Sequence, residues 1–275
     1  MCLLLFAYRT HPHYPLLLAA NRDEFFARPA APADHWGQSG VIAGRDLEAG
    51  GTWAGAAAGR VAAVTNIREP QVPSPAAPLS RGQIPRDFLL GNETPRTFAG
   101  QLQAQRYRGY NALLFQLGED PELVCAGNRH PAFAFSPGVH GISNGAPDAP
   151  WPKVVKGREK LAQLAAGLGR DLGRRNFVEP ALALLADREP APFEELPDTG
   201  VGEALERALS PVFVRIGDGE ITIPRDGADS LTDVYGTRAS TLMAVDRDGV
   251  TQLWEQTFGE DGEAGMLRHF TLLPG

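Results

Sequence analysis

The feature that most constrains this chain is its N-terminus: two apolar runs, residues 2–9 and 16–23, separated by THPHYP. Two prolines cannot donate to a strand ladder, so this stretch reads as the loop of a β-hairpin. Pairing Arg9 with Leu16 makes paired residue numbers sum to 25, which sets Cys2 opposite Asp23 and Leu3 opposite Arg22. Directly opposed side chains on antiparallel strands have Cβ atoms about 4.5–5.5 Å apart. A one-residue slip changes which of Arg22 and Asp23 shares a face with Cys2. Either register brings the polar cluster Asn21-Arg22-Asp23-Glu24 beside the cysteine.

A cysteine directly behind Met1 has a chemical consequence. Removal of Met1 is expected before a small second residue, and the freed α-amine has a pKa of about 7.7–8.0. That amine can act as general base for the thiol of its own residue, the N-terminal nucleophile device. The plainer reading of Cys2 is a small buried hydrophobe on a strand. The cluster at 21–24 weighs against it, because strand interiors disfavour Asn and Asp. Arg22 beside the thiol favours thiolate, and Asp23 is placed to hold the α-amine or Arg22.

The 275 residues suffice for one large domain or two small ones, and 43% hydrophobic with 21% charged residues is ordinary globular usage. A net charge of -7 and a pI near 5.4 argue against a nucleic-acid binder held by phosphate contacts. With only Cys2 and Cys125, no disulfide framework is expected and a reducing cytosol is the default. No basic region precedes CLLLFAY, and no run approaches the ~20 apolar residues of a membrane span. The expectation is a cytoplasmic protein without a signal peptide.

After a Pro/Ala-rich loop (ARPAAPADHW), strands are expected at 41–43, 53–58 and 60–66. Ser80-Arg-Gly-Gln83 resembles a capping box opening a helix to about Leu90, and Thr94-Pro95 opens another to about Gln105. Strands follow at 110–117, 123–126 and 139–143. WPKVVKGREKLAQLAAGL is the clearest helix, with Val154, Val155, Leu161, Leu164 and Leu168 at helical spacing. Further helices are expected at 177–186 and 203–209, then strands at 212–216, 235–245 and 251–258. Strands, then helices, then strands again imply a single α+β domain, residues 1–275, of stacked layers.

The motifs carry a resemblance along nearly the whole chain: MCLLLF, ANRDEF, GGTWAG, VTNIRE around Asn66, GISNG around Asn144 and YGTRAST around Arg238. Together they resemble the NRDE family, which includes the transport-and-Golgi-organisation proteins. More distantly, the chain is similar to N-terminal nucleophile amidases of the bile-salt hydrolase and penicillin V acylase type. That resemblance implies a four-layer αββα sandwich with two antiparallel sheets. It also implies catalytic roles: Cys2 as nucleophile, Arg22 close to it, Asn66 helping to form an oxyanion hole, Asn144 as a second asparagine that binds the amine or the oxyanion, and Arg238 as an active-site arginine. Removing one oxyanion-hole donor typically costs about 10²–10³ in rate. One departure concerns the carboxylate: the amidases place an aspartate three residues after the arginine, whereas here Asp23 follows Arg22 immediately and Phe25 holds the later position.

The function so implied is a cysteine hydrolase of a linear amide or related acyl bond, acting on a small acyl-amide or lipid-like molecule. The alternative, also implied by the resemblance, is a non-catalytic haem or lipid carrier on the same fold. No cofactor or metal is expected, because His11 and His13 lack a third ligand nearby in sequence. Cys125 with His130 has the residue types of a thiol–imidazole pair but reads as a strand end. GDGEITIPRDGADS lacks the register of an EF-hand loop and reads as a hairpin followed by a polar turn.

Overall fold

A computed structural model describes residues 2–223 and 234–274. In chain order the first nine strands are β1 (Cys2–Tyr8), β2 (Leu16–Phe25), β3 (Ala30–His35), β4 (Ile42–Asp46), β5 (Ala54–Ala57), β6 (Arg60–Asn66), β7 (Tyr110–Gln116), β8 (Glu122–Gly127) and β9 (Phe133–Ala134). The others are β10 (Gly138–Ile142), β11 (Arg215–Ile216), β12 (Tyr235–Val245), β13 (Thr251–Phe258) and β14 (Ala264–Leu272). The helices are α1 (Gln83–Leu90), α2 (Pro95–Gln101), α3 (Pro152–Ala166), α4 (Glu179–Leu185) and α5 (Glu203–Ala208).

The strands form two antiparallel sheets. One runs β10-β1-β2-β12-β13-β14 with β11 paired to β12, and the other runs β3 to β9 in sequence order. Three apolar layers stack the molecule. Leu4, Phe6 and Leu18 meet Ile42, Val61 and Leu113 between the sheets. On the outer face of the first sheet, Leu5 and Leu17 pack on Val154, Leu161 and Phe177. On the outer face of the second, Ala62 and Leu114 pack on Ile84 and Phe88. The result is a four-layer αββα sandwich.

The unbroken run CLLLFAY follows from this stacking, since all seven residues of β1 are buried and both faces of the strand must be apolar. Gly157 allows α3 to lie close on β1: a Cβ there would sit 2.5 Å from Leu5 Cδ1.

The hairpin register differs from expectation by one residue. Arg9 adopts φ 53 and leaves the strand, its N–H donating to the Pro15 carbonyl at 2.9 Å. Tyr8 therefore pairs with Leu16, and Cys2 lies opposite Arg22 rather than Asp23. The expected Pro/Ala loop contains β3, an edge strand that accommodates Pro32 at a bulge between Ala31 and Asp34. Ser80 forms no capping box: the α1 cap is Gly82 without a side-chain bond, and Ser80 contributes only its carbonyl, to the Gln83 N–H. Thr94 does cap α2, its hydroxyl accepting from the Thr97 N–H at 3.2 Å, but the helix ends at Gln101. On α3, Val155 is exposed, and Lys153 and Gly157 take the buried stripe. The strand expected at 212–216 is reduced to Arg215–Ile216, and most of the polar turn expected beyond Ile223 lies outside the described residues.

Candidate functional site

Strand alternation sorts the polar cluster onto two faces. Arg22 and Glu24 share the face of Leu18 and Ala20, toward the second sheet, while Asn21 and Asp23 share that of Leu17 and Ala19, toward the helices. Cys2, paired directly with Arg22, shares its face. β2 continues to Phe25 past this pairing, still bonded to β12, and the continuation borders a cleft of about 920 Å³.

Asn21 is a structural cross-link. Its amide nitrogen donates to the carbonyls of Leu185 and Val212, both at 2.9 Å, and its oxygen accepts from Ser240 Oγ at 2.6 Å. Arg22 is 5% exposed, with its guanidinium carbon 4.4 Å from the centroid of the Trp53 ring and Nη2 4.0 Å from Glu24 Oε2. Trp53 is seated in turn on Gly44, where a Cβ would lie 2.1 Å from Cζ2. Asp23 accepts from Thr237 Oγ1 at 2.7 Å, and its carbonyl accepts from the Tyr235 hydroxyl at 3.1 Å.

Arg238 is the extra residue of a β-bulge between Thr237 and Ala239. The bulge aims its guanidinium at the turn after β2, where Nη1 donates to the carbonyls of Phe25, at 3.1 Å, and Arg28. Asn66, at the end of β6, lines the cleft, and its carbonyl accepts from Asn144 Nδ2 at 2.9 Å. Asn144 is fully buried behind it, its own carbonyl accepting from the Arg68 N–H at 2.8 Å. The neighbouring Ser143 hydroxyl donates to the Cys2 carbonyl at 3.2 Å.

Four of the six expected site residues, Cys2, Arg22, Asp23 and Asn66, therefore line one cleft. Asn144 supports Asn66 from behind, and Arg238 holds the β2–β3 turn. Three further groups belong to the same region. Arg68, over the Trp151 ring at 5.2 Å, forms a buried ion pair with Glu206 of α5. Glu206 also accepts from Thr199 N at 2.7 Å and Oγ1 at 2.6 Å. Lys153, 4% exposed, donates to the Leu209 carbonyl at 2.8 Å. A signal for Lys153 existed in the sequence: it is one of three lysines and lies four and eight residues before Gly157 and Leu161, on the helix's apolar stripe. Glu206 carries a weaker one, three residues before the buried Leu209.

The electrostatics follow from burial. Desolvation pushes the Cys2 thiol and the Asp23 carboxyl up and Lys153 down to about 8. Lys153 is the strongest influence pulling Asp23 back down, and the Asp23 backbone N–H helps the Cys2 sulfur carry charge. The lining includes an apolar cluster of Phe25, Leu205, Leu209, Ile223 and Tyr235, and also Pro70, Pro73, Pro75 and Pro78. Among the rim charges, Arg28 pairs with Asp46 and Glu48, and Arg129 pairs with Glu69.

The other sequence candidates are built into the scaffold. Cys125 lies 3.9 Å from His130 Nε2, but its position in the inter-sheet core pushes the thiol far up and keeps it protonated. His11 has both ring nitrogens engaged, with the Leu168 carbonyl and the His13 N–H, each at 3.2 Å. Among the described residues, no group of three or more His, Cys, Asp and Glu is gathered to hold a metal ion, and no helix is long and apolar enough to cross a membrane.

Fold and site together define a four-layer αββα sandwich of two antiparallel sheets with a cysteine of its first strand in the cleft. The chain belongs to the Transport and Golgi organisation 2 family, whose profile matches residues 1–260. It is 32% identical over 273 residues to the Transport and Golgi organization protein 2 homolog of Bos taurus, covering 94% of this chain and 93% of that one. The homolog of Homo sapiens is 28% identical over 272 residues, with the same shares. The Drosophila melanogaster protein is 28% identical over 283 residues, covering 94% and 92%. A crystal structure of a mutant conjugated bile acid hydrolase from Clostridium perfringens aligns over 98% of this chain and 92% of that one, with 11% identity and a TM-score of 0.44.

Proposed function

We propose that this chain is an N-terminal cysteine hydrolase that cleaves a linear amide or related acyl bond of a small molecule, in the cytoplasm. The observation that carries the reading is the placement of Cys2: in the main cleft, directly opposite Arg22, with Asn66 on the same cleft. After loss of Met1, the Cys2 sulfur adds to the substrate carbonyl and its proton passes to the residue's own α-amine. The Asn66 side chain stabilises the oxyanion, and Asn144 holds the Asn66 backbone in place. Collapse of the tetrahedral adduct breaks the carbon–nitrogen bond, and the proton held by the α-amine goes to the departing amine. Water then hydrolyses the thioester, releasing the acid and restoring the thiol.

The Asp23 carboxylate, on the opposite face of β2 from Arg22, is assigned to the α-amine rather than to the guanidinium. Turnover of a panel of linear acyl-amides by the wild-type protein, with loss in Cys2→Ala, is the expected result. Undiminished turnover in Cys2→Ala refutes the mechanism.

A second reading, a haem or lipid carrier, is favoured by the apolar cluster Phe25, Leu205, Leu209, Ile223 and Tyr235 on the cleft. In that case a haemin titration gives a sharp stoichiometric Soret shift, and acyl-amides are not turned over by any variant.

A further inference from the structure

Arginines around the cleft spend their donors on the protein. Arg28 donates to Asp46 and Glu48, Arg68 to Glu206 and Arg129 to Glu69. Arg238 donates to the carbonyls of Phe25 and Arg28. Arg22 lines the same cleft and is 5% exposed, yet among the described residues no group accepts a hydrogen bond from its guanidinium. Glu24 Oε2 stands 4.0 Å from Arg22 Nη2, beyond hydrogen-bond reach, and equally far from Arg28 Nε. The other Glu24 oxygen accepts from the Phe25 N–H at 3.0 Å. Glu24 therefore balances charge without taking a donor from Arg22.

A guanidinium is always charged and carries five N–H donors in a planar fork. Leaving them unspent in a nearly buried side chain is costly, so the arrangement calls for a partner from outside the chain. The Nε atoms of Arg60 and Arg68 are sealed without a partner, but no Arg22 nitrogen is, so its donors open on the cleft. The Trp53 ring, 4.4 Å from the guanidinium carbon, holds the group in place without consuming a donor. Arg22 is also paired with Cys2 across the strands and shares its face. A planar fork of donors matches a carboxylate. Glu24 at 4.0 Å opposes a dianion more than a monoanion, which favours a carboxylate over a phosphate. The apolar cluster of Phe25, Leu205, Leu209, Ile223 and Tyr235 on the same cleft suits an aliphatic chain.

We propose that Arg22 is an anion-binding group of the cleft and that the molecule it takes is an amphipathic acyl-amide carrying a carboxylate. The proposal rests on the reading of the Cys2 cleft above and deepens it by naming the substrate class.

The test is isothermal titration calorimetry on Cys2→Ala protein at neutral pH, with N-decanoylglycine and its uncharged counterpart N-decanoylglycinamide. The acid is expected to bind at least about tenfold more tightly than the amide. Arg22→Gln is expected to bring the two within about twofold, chiefly by weakening the acid, and Arg22→Lys to keep part of the preference. Decyl phosphate is expected to bind less tightly than the acid.

Equal binding of acid and amide overturns the proposal, as does an acid with no saturable binding below about 1 mM. A preference that survives Arg22→Gln overturns the assignment to Arg22. Tighter binding of decyl phosphate than of the acid overturns the carboxylate and makes the ligand a phosphate. The acid–amide comparison needs no substitution at Arg22, so it stands even where those variants fail to fold. Binding is read in protein without the Cys2 thiol. A preference for the acid with no hydrolysis by wild type therefore removes the nucleophile and keeps the anion site, and hydrolysis of neutral amides with no such preference does the reverse.

Discussion

Trp53 and Trp151 each rest on a glycine and carry an arginine, and the arrangement at Trp53 makes a strong mechanical prediction. Gly44 is in β4 with no left-handed φ, so alanine is acceptable to the backbone and its only cost is space. The new methyl carbon would lie 2.1 Å from Trp53 Cζ2 and 2.2 Å from Cη2. Carbon atoms in contact need about 3.5–4.0 Å, so the ring must move by roughly 1.5 Å. The ring is not free to do so, because Arg22 stacks on it at 4.4 Å.

Overpacking of this kind costs about 1–3 kcal/mol, and disruption of a desolvated cation–π contact about another 1–2. Gly44→Ala is thus expected to lose about 2–5 kcal/mol, lowering Tm by roughly 4–20 °C at about 2–4 °C per kcal/mol. Thermal unfolding followed by circular dichroism measures it, with Trp53→Phe as the coupled background. The smaller ring relieves the clash, so the cycle should show at least about 1 kcal/mol of coupling. If Gly44→Ala leaves Tm essentially at the wild-type value, or costs as much in the Trp53→Phe background as it does alone, the claim that Gly44 seats the ring under Arg22 is wrong.

Three other outcomes follow from buried groups. Arg68→Met leaves the Glu206 carboxylate buried without its cation and is expected to cost about 3–5 kcal/mol; adding Glu206→Leu should recover most of the loss, and failure to do so in a melt would show that the pair is not the cause. Asn21→Ala removes three side-chain bonds and orphans the Leu185 and Val212 carbonyls, so a loss of about 2–4 kcal/mol is expected in denaturant unfolding. Glu255, buried between the sheets and accepting from the Ala33 N–H at 2.5 Å, is pushed by burial from 4.5 up to about 6. A raised carboxyl favours the fold while protonated, so its contribution is complete below about 4.5 and is lost as pH rises through 6. Relative to wild type, Glu255→Gln should gain about 1 kcal/mol between about pH 5 and 7, and a pH-independent difference in Tm would refute this.

The parts of the molecule legible in sequence are those where one local rule dominates. The hairpin, most central strands and α3 announce themselves through apolar runs and helical spacing, and the polar cluster at 21–24 marks the site. The hairpin register did not, because it turned on whether Arg9 continued the strand or took a left-handed conformation. β3 was hidden by Pro32, which is compatible with a strand only at an edge bulge. β14 was hidden because it is a largely exposed edge with little apolar contrast.

Within the candidate site, sequence named Cys2, Arg22, Asp23 and Asn66, but left open which of Arg22 and Asp23 shares the face of Cys2. Nor could it show that a bulge would direct Arg238 to the turn carbonyls. Trp53, Lys153 and Glu206 join the site through tertiary packing, and of these Lys153, a charge on an apolar stripe, carried the clearest signal beforehand.

The most direct test of the central claim is the intact mass of the purified protein after brief reaction with a p-nitrophenyl acyl ester and acid quench. The account expects a chain lacking Met1 and carrying one acyl group, mapped by peptide mass spectrometry to Cys2. A chain that retains Met1, or one whose Cys2 stays unmodified while the ester is consumed, would contradict it.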